Sequence, residues 1–177
     1  SGHGPVCHCG KAWYTIEIPA STVNRSAHPT ATARTHASRC EAYHGPMSVD
    51  PASLSILRYP HPALLRTARP VEEVTDETRA VAARMLELMR EARGVGLAAP
   101  QVGLAWRMFV ANSGGEDEPD RVYINPALRD PQGGLEVHEE GCLSLPDVLG
   151  DVWRPPTITI EATDLDGRSF TLTNSEL

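Results

Sequence analysis

The residues best suited to chemistry lie in two short stretches of this 177-residue chain. One is Glu139-Glu140-Gly141-Cys142-Leu143-Ser144-Leu145-Pro146, which holds the only cysteine outside the first 40 residues. A cysteine in that setting has three available roles: a buried small hydrophobe, a thiol nucleophile or a metal ligand. Composition by itself favours the first, because free cysteine is among the most buried residue types. The other stretch is Gly94-Val95-Gly96-Leu97-Ala98-Ala99-Pro100-Gln101-Val102-Gly103, a glycine-rich turn that runs through small residues to the amide side chain of Gln101.

Together, GxGLAAPQ and, about forty residues later, EGCLSLP resemble the first two signature motifs of the peptide deformylases. These are metal-dependent hydrolases that remove the formyl group from the N-terminal formyl-methionine of new proteins. Hydrolysis of a formamide needs a Lewis acid to generate hydroxide, a base to handle its proton, and donors to the oxyanion that develops on the formyl oxygen. The resemblance implies that the Cys142 thiolate is one ligand of a single Fe²⁺ or Zn²⁺ ion, and that the Gln101 side-chain amide and the Leu143 backbone N–H are the oxyanion donors. It also implies that Val95 and Gly96 line the substrate cleft, offering backbone groups to the peptide as an added strand does. The third family motif, a helical HExDH carrying two histidine ligands and the catalytic glutamate, is absent from the sequence, whose end at Thr173 to Leu177 resembles the family just before that helix. The expectation is therefore a peptide deformylase by resemblance, a metal-dependent hydrolase in its complete form, represented by a C-terminally incomplete chain that does not retain its metal and whose own activity the missing motif leaves open. The alternative is a non-catalytic relative that binds nascent N-termini. A second alternative is a thiol enzyme with Cys142 as nucleophile, which needs an adjacent base.

His138 is the one imidazole near Cys142 in sequence, but the segment reads as a strand, where four residues at ~3.3 Å each separate the two by roughly 13 Å. It is not expected to be a ligand. Glu139 and Glu140 read as charged loop residues or as partners that orient the site, with a supporting role favoured for Glu140 by the family pattern. His61, flanked by two prolines, reads as structural or exposed. Cys7-His8-Cys9 with Cys40 and His44 lacks the two-to-four-residue ligand spacing of a closed zinc site.

Composition bounds the rest. Hydrophobic residues make up 41% of the chain, and no run approaches the roughly 20 apolar residues that span a bilayer. The formal charge of −7 argues against a nucleic-acid partner, which requires an excess of cations on one face. Residues 1–46 carry four cations against two carboxylates, +2, which leaves −9 for the remainder. That first segment is rich in Ser, Thr, Ala, Pro, Gly and His without sustained period, and reads as a disordered or non-native extension. Residues 47–177 read as the deformylase-like domain. The resemblance implies a formylated nascent peptide as substrate, the ribosome as a partner, and a bacterial-like cytoplasmic setting, or an organelle if residues 1–46 are a transit peptide.

The elements that must hold the two motifs are those of an α+β body, antiparallel sheets around at least one long helix. Thr75 is a suitable N-cap, Asp76 and Glu77 suit the positive end of the dipole, and Gly94 is a ready stop. Val81, Met85, Leu88 and Ala92 form one apolar stripe. Segments 106–111, 121–125, 135–140, 152–154, 157–162 and 170–172 read as strands, with Asn112 to Asp120 as an exposed loop, turns at Asn125-Pro126 and at Pro131 to Gly134, and a hairpin turn at Asp164 to Arg168. Ile56 to Pro62 reads as extended. Without the third-motif helix, the apolar faces of Met85, Leu88, Leu143 and Ile160 are expected to lack a partner, an aggregation liability.

Overall fold

The computed structural model describes residues 49–112 and 119–174. The expectations for residues 1–46 and for the middle of the 112–120 loop lie outside them. The anticipated helix is α1, Asp76–Glu91. Its start is set by reciprocal hydrogen bonds: the Thr75 hydroxyl accepts from the Thr78 N–H at 3.3 Å, and the Thr78 hydroxyl accepts from the Thr75 N–H at 3.2 Å. Thr78 fills the place that Glu or Gln usually takes in this cap. Val81, Ala82, Met85, Leu88 and Met89 face the core, each large apolar side chain contributing roughly 1.5–3 kcal/mol of transfer free energy. Ala92, placed on the stripe from spacing, is exposed, because the helix has ended before it. The left-handed residue beyond the helix is Arg93, at φ 55°, rather than Gly94.

Among the described residues seven strands follow: β1 Gly96–Ala98, β2 Met108–Ala111, β3 Arg121–Gln132, β4 Glu136–Cys142, β5 Leu145–Arg154, β6 Thr157–Thr163 and β7 Ser169–Asn174. Five form an antiparallel sheet in the order β1-β2-β3-β6-β7, while β4 and β5 form a separate two-stranded sheet. This is the expected α+β architecture. One face of the large sheet packs Met108, Val110 and Ile124 against α1. The other face gathers Tyr123, Ile160 and Ala162 with Phe109 and Phe170. Phe109 and Tyr123, opposite each other in the ladder, stack at 4.4 Å between ring centroids.

Asn125-Pro126 does not turn the chain: β3 runs through it as a bulge, with a register shift between Ile124 and Ala127. Asn125 sits at φ 52°. Its side-chain amide accepts from the Val71 N–H and donates to the Val71 carbonyl, each at 2.8 Å. A long-range partner thus compensates for the interrupted ladder and lets proline sit inside a strand. The extended reading of Ile56 to Pro62 holds only in part, since Tyr59-Pro60 is a cis bond inside a turn and Pro62–Leu65 is a 3-10 helix. His61 caps that helix, its Nδ1 accepting from the Ala63 N–H at 3.2 Å, a structural role at an exposed position, as its setting between two prolines suggested.

The unpartnered faces expected at Met85, Leu88 and Ile160 are absent. Those residues are buried, at 0, 7 and 1% exposure, because α1 lies on the large sheet and Ile160 on that sheet's far side. Half-buried Leu143 packs against the same core. Among the described residues, five of the eight exposed large apolar side chains lie on and beside the β4–β5 hairpin, Leu135, Val137, Val148, Leu149 and Trp153, while Tyr59, Leu65 and Val95 are exposed elsewhere.

Candidate functional site

The first motif is built by β1 and the 3-10 helix Ala99–Val102 that follows it. Gly103, at φ 88°, ends that helix in a conformation that favours glycine. Gln101 is anchored rather than loose. Its Oε1 accepts from the Ala98 N–H at 2.9 Å, which commits the oxygen to the backbone and turns the amide nitrogen the other way. Nε2 then donates to the Ser144 hydroxyl at 3.2 Å and lies 3.8 Å from Cys142 Sγ. Residues 41 and 43 positions apart in sequence are thereby in hydrogen-bond contact.

The second motif closes the small sheet. Cys142 pairs with Leu145 across the two-residue turn Leu143-Ser144, and the register then jumps to Gly141 opposite Leu149, so β5 bulges just after the cysteine. Asp147 within that bulge has φ 64°. Cys142 is a half-buried thiol, and the Leu143 amide lies in the turn beside it. Ser144 is 1% exposed.

Two features hold the hairpin against the first motif. The Leu143 side chain fills the space that a side chain on Gly94 would need: a Cβ there would lie 2.6 Å from Leu143 Cδ1. Second, the arm before the 3-10 turn bridges both motifs through its backbone, Leu57 N–H donating to the Gln101 carbonyl at 2.7 Å and Tyr59 N–H to the Ser144 carbonyl at 2.9 Å. Sequence reasoning passed over Ser144, Leu57 and Tyr59. Ser144 stood inside the motif and was legible there. The other two act through main-chain groups, which carry no side-chain signal.

Val95 and Gly96 lie at the edge of the large sheet. The Asn112 N–H donates to the Val95 carbonyl at 2.9 Å, so the alternation of an antiparallel ladder aims the N–H and C=O of Gly96 away from β2, toward the open edge. The Ala98 N–H, which points the same way, is the one taken by Gln101. A Cβ on Gly96 would meet only ordinary contacts, the Val110 carbonyl oxygen at 3.5 Å among them. Val95 is 77% exposed.

Glu140 forms a two-pronged ion pair with Arg154, its second prong 2.7 Å long. Hydrogen bonding to that guanidinium holds the Glu140 carboxyl below the usual glutamate range, against the opposing effect of burial. His138 lies in β4 opposite Val152. Among the described residues no three His, Cys, Asp or Glu side chains converge as a metal site. Cys142 offers a single sulfur, and a catalytic metal centre takes three protein ligands, so the described residues do not by themselves fit a complete centre.

Comparison with known proteins places this arrangement. The family model described as polypeptide deformylase matches residues 53–177. A peptide deformylase of Acidobacterium capsulatum is 43% identical over 124 residues, covering 69% of this chain and 72% of that protein. One of Rhodopirellula baltica is 46% identical over 119 residues, 66% of this chain and 59% of its own length. The crystal structure of peptide deformylase from Thermotoga maritima superposes with a TM-score of 0.65 at 32% identity, covering 68% of this chain and 80% of that one.

Proposed function

The chain belongs to the polypeptide deformylase family, and from that premise we propose that its two motifs recognise the formylated N-terminus of a nascent peptide for metal-dependent removal of the formyl group. The family is one of metallo-enzymes. Fe²⁺ or Zn²⁺ is the ion proposed, with Cys142 as one of its ligands. Beyond that single thiolate, the part played by the chain's own groups is to bind and orient the peptide.

The observation that carries the reading is the fixed direction of the Gln101 amide. With Oε1 held by Ala98 N–H, Nε2 is directed at the space beside Cys142, where a formyl oxygen would gain a preorganised donor. The Leu143 N–H supplies the second donor from the adjoining turn. The open N–H and C=O of Gly96 pair with the peptide main chain, as a strand added to a sheet edge does, and the exposed Val95 side chain flanks the same path. Glu140, paired with Arg154, stiffens the strand that carries Cys142.

The second reading, a protein that binds nascent N-termini without turnover, rests on the finding that no three His, Cys, Asp or Glu side chains converge among the described residues. One experiment separates the two. The chain is loaded anaerobically with Fe²⁺ or Zn²⁺, then assayed for bound metal, for affinity toward a formyl-methionyl tripeptide and its unformylated counterpart, and for formate release. Formate release abolished by a chelator supports the hydrolase. In that case Gln101→Leu lowers kcat about 10²–10³-fold with little change in KM. Binding of either peptide without formate release supports the binding protein, and failure to bind either peptide sinks both readings.

A further inference from the structure

The β4–β5 hairpin has two faces of different character. Glu140, Cys142, Val152 and Arg154 are half-buried on the inner one. On the outer face the ladder sets Val137 opposite Trp153, Glu139 opposite Asp151, and Gly141 opposite Leu149. Val137, Trp153 and Leu149 are 46, 64 and 65% exposed, and both carboxylates are exposed as well. Side chains directly opposite in an antiparallel pair have Cβ atoms about 4.5–5.5 Å apart, and like charges there are destabilising. Neither Glu139 nor Asp151 has an ion-pair partner among the described residues. The one arginine of the hairpin, Arg154, is engaged with Glu140 on the inner side. A two-stranded sheet, marginal in isolation, thus carries an uncompensated acidic pair between apolar side chains at its surface.

We infer that this outer face is a docking surface for a cationic segment of another polypeptide, one that presents a lysine or arginine between apolar side chains. Successive rows on one face of a strand repeat every two residues, about 6.6–6.8 Å. The face therefore reads apolar, acidic, apolar along the hairpin, and its complement is an extended segment whose alternate residues read apolar, cationic, apolar. A second copy of the chain is a poor occupant, since face-to-face packing would oppose carboxylate to carboxylate. Nucleic acid and anionic lipid meet the same repulsion, reinforced by the formal charge of −7. The surface lies on the opposite side of the hairpin from Cys142, so a partner there leaves the inner face open. Docking at this face does not depend on the deformylase reading.

The test uses the full 177-residue chain and a fluorescein-labelled peptide of alternating leucine and lysine, followed by anisotropy. Saturable binding that weakens with added salt is expected. Glu139→Gln with Asp151→Asn should weaken it about tenfold and flatten the salt dependence, whereas Trp153→Ser should weaken it while the salt dependence persists. Glu72→Gln with Glu73→Gln removes the same charge from another exposed site and should leave binding unchanged. Without peptide, Glu139→Gln should raise Tm, because it relieves the cross-strand repulsion. The inference is overturned if neutralising Glu139 and Asp151 changes nothing, if the Glu72 and Glu73 pair matters equally, or if Glu139→Gln lowers Tm. It is also overturned if sedimentation shows a dimer that Trp153→Ser dissolves, which would make the occupant a second copy.

Discussion

Gly94 and Gly96 look alike in sequence and differ in what they are for. A methyl group on Gly94 would drive into Leu143, with Cδ1 at 2.6 Å and Cγ at 3.2 Å. Gly94→Ala is therefore expected to cost about 1–3 kcal/mol, the usual range for overpacking, and to displace the turn beside Cys142. Gly96→Ala meets no such contact and should melt close to the parent, while weakening peptide binding at the sheet edge. Equal melting temperatures for the two variants would remove the packing argument. The Glu140–Arg154 pair makes a pH-dependent prediction. The folded carboxyl lies below its ordinary value of 4.5, so the stability it contributes is present above that value and fades as pH falls through the lowered one. The Tm difference between the parent and Glu140→Gln should accordingly be full at pH 7 and shrink toward nothing at pH values below 4.5.

At the scale of elements, the start of α1 rests on Thr75. Removing its hydroxyl in Thr75→Ala should lower stability by about 1 kcal/mol, with Thr75→Ser largely retaining it; urea melts of the three proteins decide this. Strand β3 depends on a different device. Asn125 serves both main-chain groups of Val71 at 2.8 Å and adopts φ 52°, a region where asparagine is tolerated better than most residues. Asn125→Asp keeps an acceptor for the Val71 N–H but sets a carboxylate oxygen against the Val71 carbonyl. It should destabilise the chain by about 1–3 kcal/mol, the cost of an unsatisfied pairing. A melt unchanged by this substitution would show that the bulge is held by the ladder alone.

Across the whole molecule, the two motifs belong to different sheets that share no strand ladder. What registers Cys142 against Gln101 is a small set of contacts: the Ser144 hydroxyl on Nε2, Leu143 against Gly94, and the arm amides of Leu57 and Tyr59. Native-state hydrogen exchange should therefore show the β4–β5 amides opening at lower free energy than those of β2, β3 and β6, with Leu57 and Tyr59 exchanging alongside the hairpin. Protection of the hairpin equal to that of the large sheet would mean the two sheets open as one unit.

Much of this was legible in the residues alone. The α1 stripe and its cap could be read because helix periodicity and end effects act over one or two turns. The hairpin at Asp164 to Arg168 was equally local, with the Asp164 carboxylate accepting from the N–H groups of Asp166 and Arg168. The motif residues Gln101 and Cys142 could be singled out from their pattern. Tertiary structure decided what local rules cannot reach. Asn125-Pro126 carries turn chemistry, yet Val71, 54 positions away, compensates for its interrupted ladder and keeps it in a strand. Gly94 carries a stop signal, yet its lack of a side chain serves Leu143. The direction of the Gln101 amide follows from a single backbone N–H, and its link to the second motif from a buried serine. Main-chain groups and close approaches across large sequence separations leave little trace in residue type, because any residue has an N–H and a C=O to offer.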